Sequence, residues 1–411
     1  MLKAKVGIKT LTQRKIKLFM KYLLGLLLLL NTCFAQELKV LTDKEITVGA
    51  KRIDKFLPLL QNKNVAIVAN ITSKINNTHL VDTLLSLNIK VKKIFSPEHG
   101  FRGTSDAGEK VGDQKDSKTG LPIISLYGKH KKPTAEDLKG IDIVIYDMQD
   151  VGVRFYTYIS TMTYCMEACA ENKKKMIVLD RPNPNGYYVD GPVLDMKWKS
   201  FLGLHPVPIV YGMTCGEYAQ MVNGEKWLAE GKQCDLTVIP LIGYNHNVSY
   251  EIPIKPSPNL PNMTSIFLYP SLGLFEGTVM SVGRGTEYPF QLIGHPNIKD
   301  GKMSFVPKPT AGAKTPKYDG KTCYGFDLRV FGDEVIKTSR HIYLFWLMGT
   351  YKSLNDPLYF DENFNWHAGN DVLQAQIKAG KTEEEIQKSW QANIKKFKSI
   401  RKKYLMYEDF E

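Results

Sequence analysis

The chain has 411 residues and a formal net charge of +13. Its length predicts two domains, because one hydrophobic core rarely serves so many residues. The sequence contains no internal repeat and no low-complexity segment. Its lysines and arginines form no concentrated basic stripe, so nucleic acid is not expected among its partners.

The first 35 residues are typical of a secretory signal peptide. Seven cations and no acid precede an apolar run from Tyr22 to Leu30, and Ala35 offers a small residue for cleavage. The run is too short to span a bilayer as a stable helix. We expect export to the periplasm or the exterior, with a mature net charge of +6 after the seven cations are removed. The alternative is a lipoprotein attached through Cys33, although residues 30–32 match a lipidation signal poorly.

Residues 36–188 alternate strand and helix patterns. Apolar runs predict strands at 65–69, 91–95, 122–126, 141–146 and 176–179, with helices at 79–87 and 158–171. This alternation predicts an α/β fold, a Rossmann-like domain around a parallel sheet. The segment after the first strand, 70–74, lacks the glycine pattern that binds a dinucleotide, so no such cofactor is expected.

Residues 189–411 change to short strands and proline-rich loops, which predicts a smaller α+β domain. A final helix is predicted to begin near Thr382, which can cap an acidic first turn.

A carboxylate and an imidazole follow the second predicted strand, as Glu98 and His99. Pro97 ends the strand and Gly100 permits a sharp exit, so Glu98 is expected to project into any cleft at that edge. Arg102 is a further candidate for substrate binding. The alternative interpretation is a solvated loop glutamate.

Aromatic and charged residues crowd the segment after the 141–146 strand. These are Asp147, Asp150, Arg154, Tyr156 and Tyr158. Aromatic faces stack on pyranose rings, and carboxylates and guanidinium groups bind sugar hydroxyls and acidic substituents, so the segment indicates a sugar site. The structural alternative is that Asp150 caps the following helix and one tyrosine belongs to the core.

Further candidates follow later in the chain. Asp180 and Asn183 end another strand, and Glu276, Arg284 and Thr286 lie among glycines in the second half. An ion pair between Asp180 and Arg181 is the structural alternative at the first of these positions.

Other catalytic schemes find less support. The sequence has no Gly-x-Ser-x-Gly elbow, no phosphate-binding loop and no His-Glu-x-x-His motif. No zinc spacing occurs, so no metal is expected. Five cysteines remain after removal of the leader, so at least one thiol is expected to be free.

Five motifs together resemble the exo-β-N-acetylmuramidase family. They are Ser96-Pro97-Glu98-His99-Gly100 and the segments 147–158, 180–185, 256–261 and 276–286. The resemblance covers nearly the whole mature chain. It departs at Asn185, where a more apolar residue is expected, and this affects the local turn.

The resemblance implies an active cleft between a Rossmann-like and a smaller C-terminal domain. It also implies removal of terminal N-acetylmuramic acid from muramyl-glucosamine fragments of peptidoglycan, an anionic polymer that suits a mildly basic protein. Glu98 matches the family's motif glutamate and is expected to be the general acid.

The chemistry leaves the other roles open. Glycoside hydrolysis needs an acid and a second group at the oxocarbenium-like centre. That group is either a carboxylate, with Asp147, Asp150 and Glu276 as candidates, or the substrate's own 2-acetamido group. Arg154 or Arg284 is expected to pair with the lactyl carboxylate of muramic acid.

Two other classes of function compete. One is a wall-binding protein without catalysis. The other is an esterase or amidase that uses His99 with Ser96 or Cys215, although neither nucleophile lies in an activating motif.

Overall fold

A seven-stranded sheet forms the centre of the described part of the chain. The computed structural model describes residues 38–97, 100–102 and 114–411. Its strands are β1 (Lys39–Leu41), β2 (Asn64–Ala69), β3 (Lys74–Ile75), β4 (Thr78–His79), β5 (Lys90–Ser96), β6 (Gln114–Lys115), β7 (Pro122–Ser125), β8 (Ile143–Asp147), β9 (Lys175–Leu179), β10 (Asp235–Ile239), β11 (Val248–Tyr250), β12 (Leu292–His295), β13 (Met303–Phe305) and β14 (Cys323–Asp327). The sheet order is β10-β9-β8-β2-β5-β7-β6.

The sheet is parallel except at one edge, where β6 runs antiparallel to β7. Its central strands are buried along almost their whole length, as the continuous apolar runs predict. All five strands expected from the sequence are confirmed, and so is the α/β class. The sheet also takes β10 from beyond residue 188, where the first domain was predicted to end, and the two-domain division stays a prediction.

Eleven α-helices occur in the described part of the chain. They are α1 (Ile53–Leu60), α2 (Leu80–Ser86), α3 (Tyr158–Glu171), α4 (Cys215–Gly224), α5 (Met263–Leu272), α6 (Arg329–Phe331), α7 (Lys337–Ser339), α8 (Phe345–Leu354), α9 (Phe364–Ala368), α10 (Val372–Lys378) and α11 (Glu383–Arg401). The predicted start of the last helix is confirmed, because Thr382 and Glu385 form a reciprocal capping box. Among the described residues, no helix is long and apolar enough to cross a membrane.

The second half adds small sheets to this framework. Strands β12, β14 and β13 form an antiparallel sheet, and β11 pairs in parallel with β1 from the start of the described chain. The hairpin β3–β4 turns through Asn76, whose φ is 53°.

Strand β2 is the point at which the sheet order changes direction. Its neighbours are β5 on one side and β8 on the other; the later strands β7 and β6 lie beyond β5, and β9 and β10 lie beyond β8. Ligands of open parallel sheets bind at the carboxyl edge near such a point. The segments after β2, β5 and β8 are therefore those in which to look for a site.

Candidate active site

An aromatic cavity of about 440 Å³ is formed by loops from both halves of the chain. Its lining includes Tyr127, Lys131, Phe155, Tyr156, Thr157, Tyr158, Phe201, Ser257, Asn259, Tyr269, Glu276, Arg284, Phe290 and His367. Flat rings with a few charged groups among them suit a sugar, whose ring has apolar faces and a polar rim.

Tyr156 and Tyr158 are fixed by the proline-rich segment of the second half. Both hydroxyls donate to the Pro256 carbonyl, at 3.0 and 3.1 Å, and the two rings meet edge to face with centroids 4.6 Å apart. The Asn70 side-chain amide, directly after β2, donates to the Tyr158 hydroxyl at 2.9 Å. These bonds make the tyrosines a rigid wall of the cavity, and burial raises the pKa of Tyr156.

Glu276 and Arg284 form a two-bond ion pair in the cavity. The guanidinium donates to the two carboxylate oxygens at 3.1 and 2.8 Å, and the side chains are 26% and 29% exposed. Burial raises the pKa of Glu276, but the charge and hydrogen bonds of Arg284 and the charge of Lys317 lower it by more than burial raises it, so the net shift is downward. Glu276 is therefore ionised at neutral pH and suited to a base or a nucleophile.

Two residues that the sequence did not indicate complete this charged end of the cavity. The Lys317 ammonium donates to the carbonyls of Glu276, at 3.3 Å, and Thr278. His367 lines the cavity, and its Nδ1 lies 3.0 Å from the Asn363 carbonyl. Burial lowers the pKa of His367, so the ring is neutral and Nε2 is left as an acceptor.

Asp147 and Arg181 make a buried structural ion pair. Arg181 Nε and Nη2 donate to the two carboxylate oxygens at 2.6 and 3.0 Å, and Asp147 is completely buried at the end of β8. Asp147 does not line the aromatic cavity. The predicted ion pair between Asp180 and Arg181 is wrong, because the guanidinium reaches Asp147 on the neighbouring strand.

Asp180 is bonded within the fold instead. Its carboxylate accepts from the backbone of Arg181 and Gly216 and from the hydroxyls of Thr214 and Tyr407, at 2.6–3.0 Å. These contacts join the end of β9 to the start of α4 and to the C-terminal segment. The carboxylate therefore clamps the fold and lies outside the cavity.

Asp150 closes a turn before α3. It accepts from the Gly152 amide at 2.7 Å and from the Tyr211 hydroxyl, and burial raises its pKa to about 7.

Asn183 is also buried. Its side-chain nitrogen donates to the Met213 carbonyl, and its side-chain oxygen accepts from the Asn185 backbone amide. The Asn185 side-chain nitrogen donates to the Val151 and Ile266 carbonyls, so this polar residue is held by backbone acceptors where an apolar residue was expected.

Arg154 does not reach the cavity. Its guanidinium is completely buried and donates to four backbone carbonyls, at 2.8–3.0 Å, from Pro192, Val207, His367 and Ala368. The expectation that Arg154 binds substrate is therefore corrected: it ties distant loops together.

The remaining predicted residues lie elsewhere. Arg102 pairs with Asp116 and Asp82, and the Thr286 hydroxyl donates to the Gly283 carbonyl within its own turn. Glu98 and His99 lie outside the described residues. Ser96 and Cys215 are buried, and burial raises the pKa of the Cys215 thiol, so neither is an exposed nucleophile.

Comparison with known proteins decides the family. Models of the N-terminal and C-terminal parts of exo-beta-N-acetylmuramidase NamZ match residues 65–264 and 267–407. The chain belongs to the NamZ exo-β-N-acetylmuramidase family. It is thus a glycoside hydrolase.

Relatives of the NamZ family match the chain over most of its length. The peptidoglycan beta-N-acetylmuramidase NamZ of Bacillus subtilis (strain 168) is 40% identical, with 86% of this chain and 90% of the relative covered. A crystal structure of a DUF1343 family protein from Bacteroides fragilis NCTC 9343 is 48% identical, with a TM-score of 0.83 and 89% and 99% of the two chains covered. A second such protein from the same organism is 30% identical, with a TM-score of 0.74 and the same coverage.

In this NamZ-family chain, the described histidines, cysteines and acids form no group of three or more that could hold a metal ion. All five cysteines after Cys33 are buried free thiols.

Proposed function

We propose that the protein is an exo-acting β-N-acetylmuramidase that releases N-acetylmuramic acid from the non-reducing ends of peptidoglycan fragments. Family membership supports this substrate, because the Bacillus subtilis relative is named for it. The observation that carries the proposal for this chain is the aromatic cavity with the Glu276–Arg284 pair. Tyrosine and phenylalanine rings offer stacking surfaces for a pyranose, and the charged groups offer partners for its polar substituents.

We assign the general acid to Glu98 and the second carboxylate to Glu276. Of the three carboxylates predicted for the second role, Glu276 lines the cavity, whereas Asp147 and Asp150 are held by protein groups. The lowered pKa of Glu276 supports an ionised group. It acts either directly as base or nucleophile or by steering the substrate's 2-acetamido group.

The preference for muramic acid is assigned to the cations beside Glu276. Arg284 and Lys317 bring two positive charges to one carboxylate, which leaves an excess positive charge for the lactyl carboxylate of the substrate. Lys317 uses two backbone acceptors, and an ammonium group has three donors. N-acetylglucosamine lacks the lactyl group and would not benefit from this charge.

The test compares a chromogenic β-N-acetylmuramide with the matching β-N-acetylglucosaminide. We expect the mature wild type to hydrolyse only the muramide, and Glu98→Gln to lose about 10²–10⁴-fold in kcat, the usual contribution of a positioned general acid. Glu136→Gln, which changes an exposed acid, is the matched control. If the wild type bound the muramide without hydrolysing it, the proposed muramidase activity would be wrong and the wall-binding alternative would take its place.

We also propose that the enzyme acts after export. The basic and apolar leader of residues 1–35 supports this location. N-terminal sequencing of the protein from its cells should find Gln36 as the first residue, and an intact Met1 would contradict export by this leader.

A further inference from the structure

A second cavity, of about 280 Å³, lies at the carboxyl edge of the sheet. Thr72, Gln149 and Arg181 line it, and they follow β2, β8 and β9 respectively. It thus occupies the position beside β2 at which the sheet order changes direction, where open α/β sheets bind ligands. The roles proposed above do not use it.

Several polar groups of the second cavity have no partner within the described part of the chain. Among the described residues, the Tyr250 hydroxyl, the Lys74 ammonium and the side-chain amides of Asn76 and Asn77 make no hydrogen bond or ion pair. Tyr250 is only 1% exposed. Its hydroxyl borders the second cavity and is bonded to no described protein group, so it is available as a donor to a ligand in the cavity. Burial raises the pKa of Tyr250 to about 12, so this hydroxyl keeps its proton and can donate.

The charge of the second cavity favours an anion. Arg181 is neutralised by Asp147, and Lys51 lies 3.8 Å from an Asp43 carboxylate oxygen. Lys74 is left as an uncompensated cation. Val48, Ile252 and Ile254 form an apolar wall beside it, so the ligand should combine a carboxylate with an apolar face.

One asparagine side chain connects the two cavities. The Asn70 side chain donates to the Tyr158 hydroxyl and accepts from the Thr72 hydroxyl at 2.6 Å. Tyr158 lines the aromatic cavity, and Thr72 lines the second cavity. The cavities therefore lie on either side of one residue, close enough for different parts of one substrate.

We propose that the second cavity binds a carboxylate-bearing part of the peptidoglycan fragment beyond the released sugar, with Lys74 and Tyr250 as donors. This inference rests on the proposed function. The carboxylate belongs either to the lactyl group of the next muramic acid along the strand or to a peptide stem. Both sources share the chemistry that the cavity recognises.

The experiment uses the Lys74→Met and Tyr250→Phe variants of the mature protein. The chromogenic monosaccharide is too small to fill both cavities, so its kcat/KM should stay within about twofold of the wild-type value. Two tetrasaccharides extend beyond the released sugar: one is peptide-free, and the other carries a peptide stem on its second muramic acid. For the tetrasaccharide that presents the recognised carboxylate, each variant should raise KM about tenfold, the loss of one charged hydrogen bond. Lys90→Met is the matched control, because Lys90 lies at the amino end of β5, the opposite edge of the sheet.

The three substrates separate the outcomes. A rise in KM for the peptide-free tetrasaccharide assigns the lactyl carboxylate, and a rise confined to the peptide-bearing tetrasaccharide assigns the stem. Unchanged KM for both would overturn the proposal. If the wild type hydrolyses nothing, the proposed function fails independently, and calorimetric titration of the same two ligands into wild type and Lys74→Met still tests the second cavity.

Discussion

The acids at the carboxyl edge of the sheet and the acid of the aromatic cavity differ in what surrounds them. Asp147, Asp150 and Asp180 are buried and bonded to the protein itself, by a guanidinium, backbone amides or hydroxyl groups. Glu276 is paired as well, but its pair with Arg284 faces an open cavity and keeps about a quarter of its surface exposed. A carboxylate can act on a substrate only where the fold leaves it an approach, so position relative to the cavity separates structural from chemical acids.

The largest effect expected from this comparison is on stability. Asp147→Asn leaves the Arg181 guanidinium buried without its counter-charge, which should lower the free energy of unfolding by about 3–5 kcal/mol. Asp327→Asn breaks an exposed pair with Arg329 and should cost no more than about 1 kcal/mol. Urea denaturation measures both. Equal losses of unfolding free energy in the two variants would show that burial does not determine how much these ion pairs contribute to stability.

The next effect is on catalysis. Glu276→Gln keeps the size of the side chain but removes its charge, and we expect kcat/KM for the chromogenic muramide to fall about 100-fold. The free energy of unfolding should change little, because the side chain is partly exposed. Glu287→Gln, which changes an exposed acid close to Arg284 in the sequence, is the control. Activity within a few-fold of the wild type would remove Glu276 from the mechanism.

The sequence predicted the elements whose signals are local. Each of the five strands is a continuous apolar run, and the last helix carries its own cap. Strand β10 was missed because its identity depends on pairing with β9, a contact between distant parts of the chain. By contrast, the glycine-flanked Arg284 and the paired tyrosines could be predicted as site residues, because each belongs to a dense local pattern in the sequence.

Site residues that remote loops contribute one at a time could not be predicted from the sequence. Lys317 and His367 lie among ordinary neighbours, and only the fold brings them to Glu276. Arg154 shows the opposite error, because an arginine among aromatics suggests a ligand until four backbone carbonyls are seen to surround it. Local composition indicates where polar groups concentrate, and hydrogen-bond partners decide what they do.

The last expected effect concerns the pH dependence of stability at Asp150. Burial raises its pKa in the folded protein from 3.8 to about 7, so between these values the folded state binds a proton that the unfolded state releases. The free energy of unfolding should therefore fall as pH rises from about 4 to about 7, by at most about 1.4 kcal/mol per pH unit from this group. Asp150→Asn cannot titrate, and should lose less stability than the wild type over the same interval.

Urea denaturation at pH 4.5 and pH 7 measures this difference, and Asp180 serves as an internal control. Its pKa is also raised to about 7 by burial, and it titrates equally in the wild type and in Asp150→Asn. The difference between the two proteins therefore isolates Asp150. Parallel stability curves would show that Asp150 stays ionised when folded.

Since Asp150 does not line the aromatic cavity, the Asp150→Asn variant should also keep the wild-type pH profile of kcat. An altered profile would return this acid to the catalytic candidates.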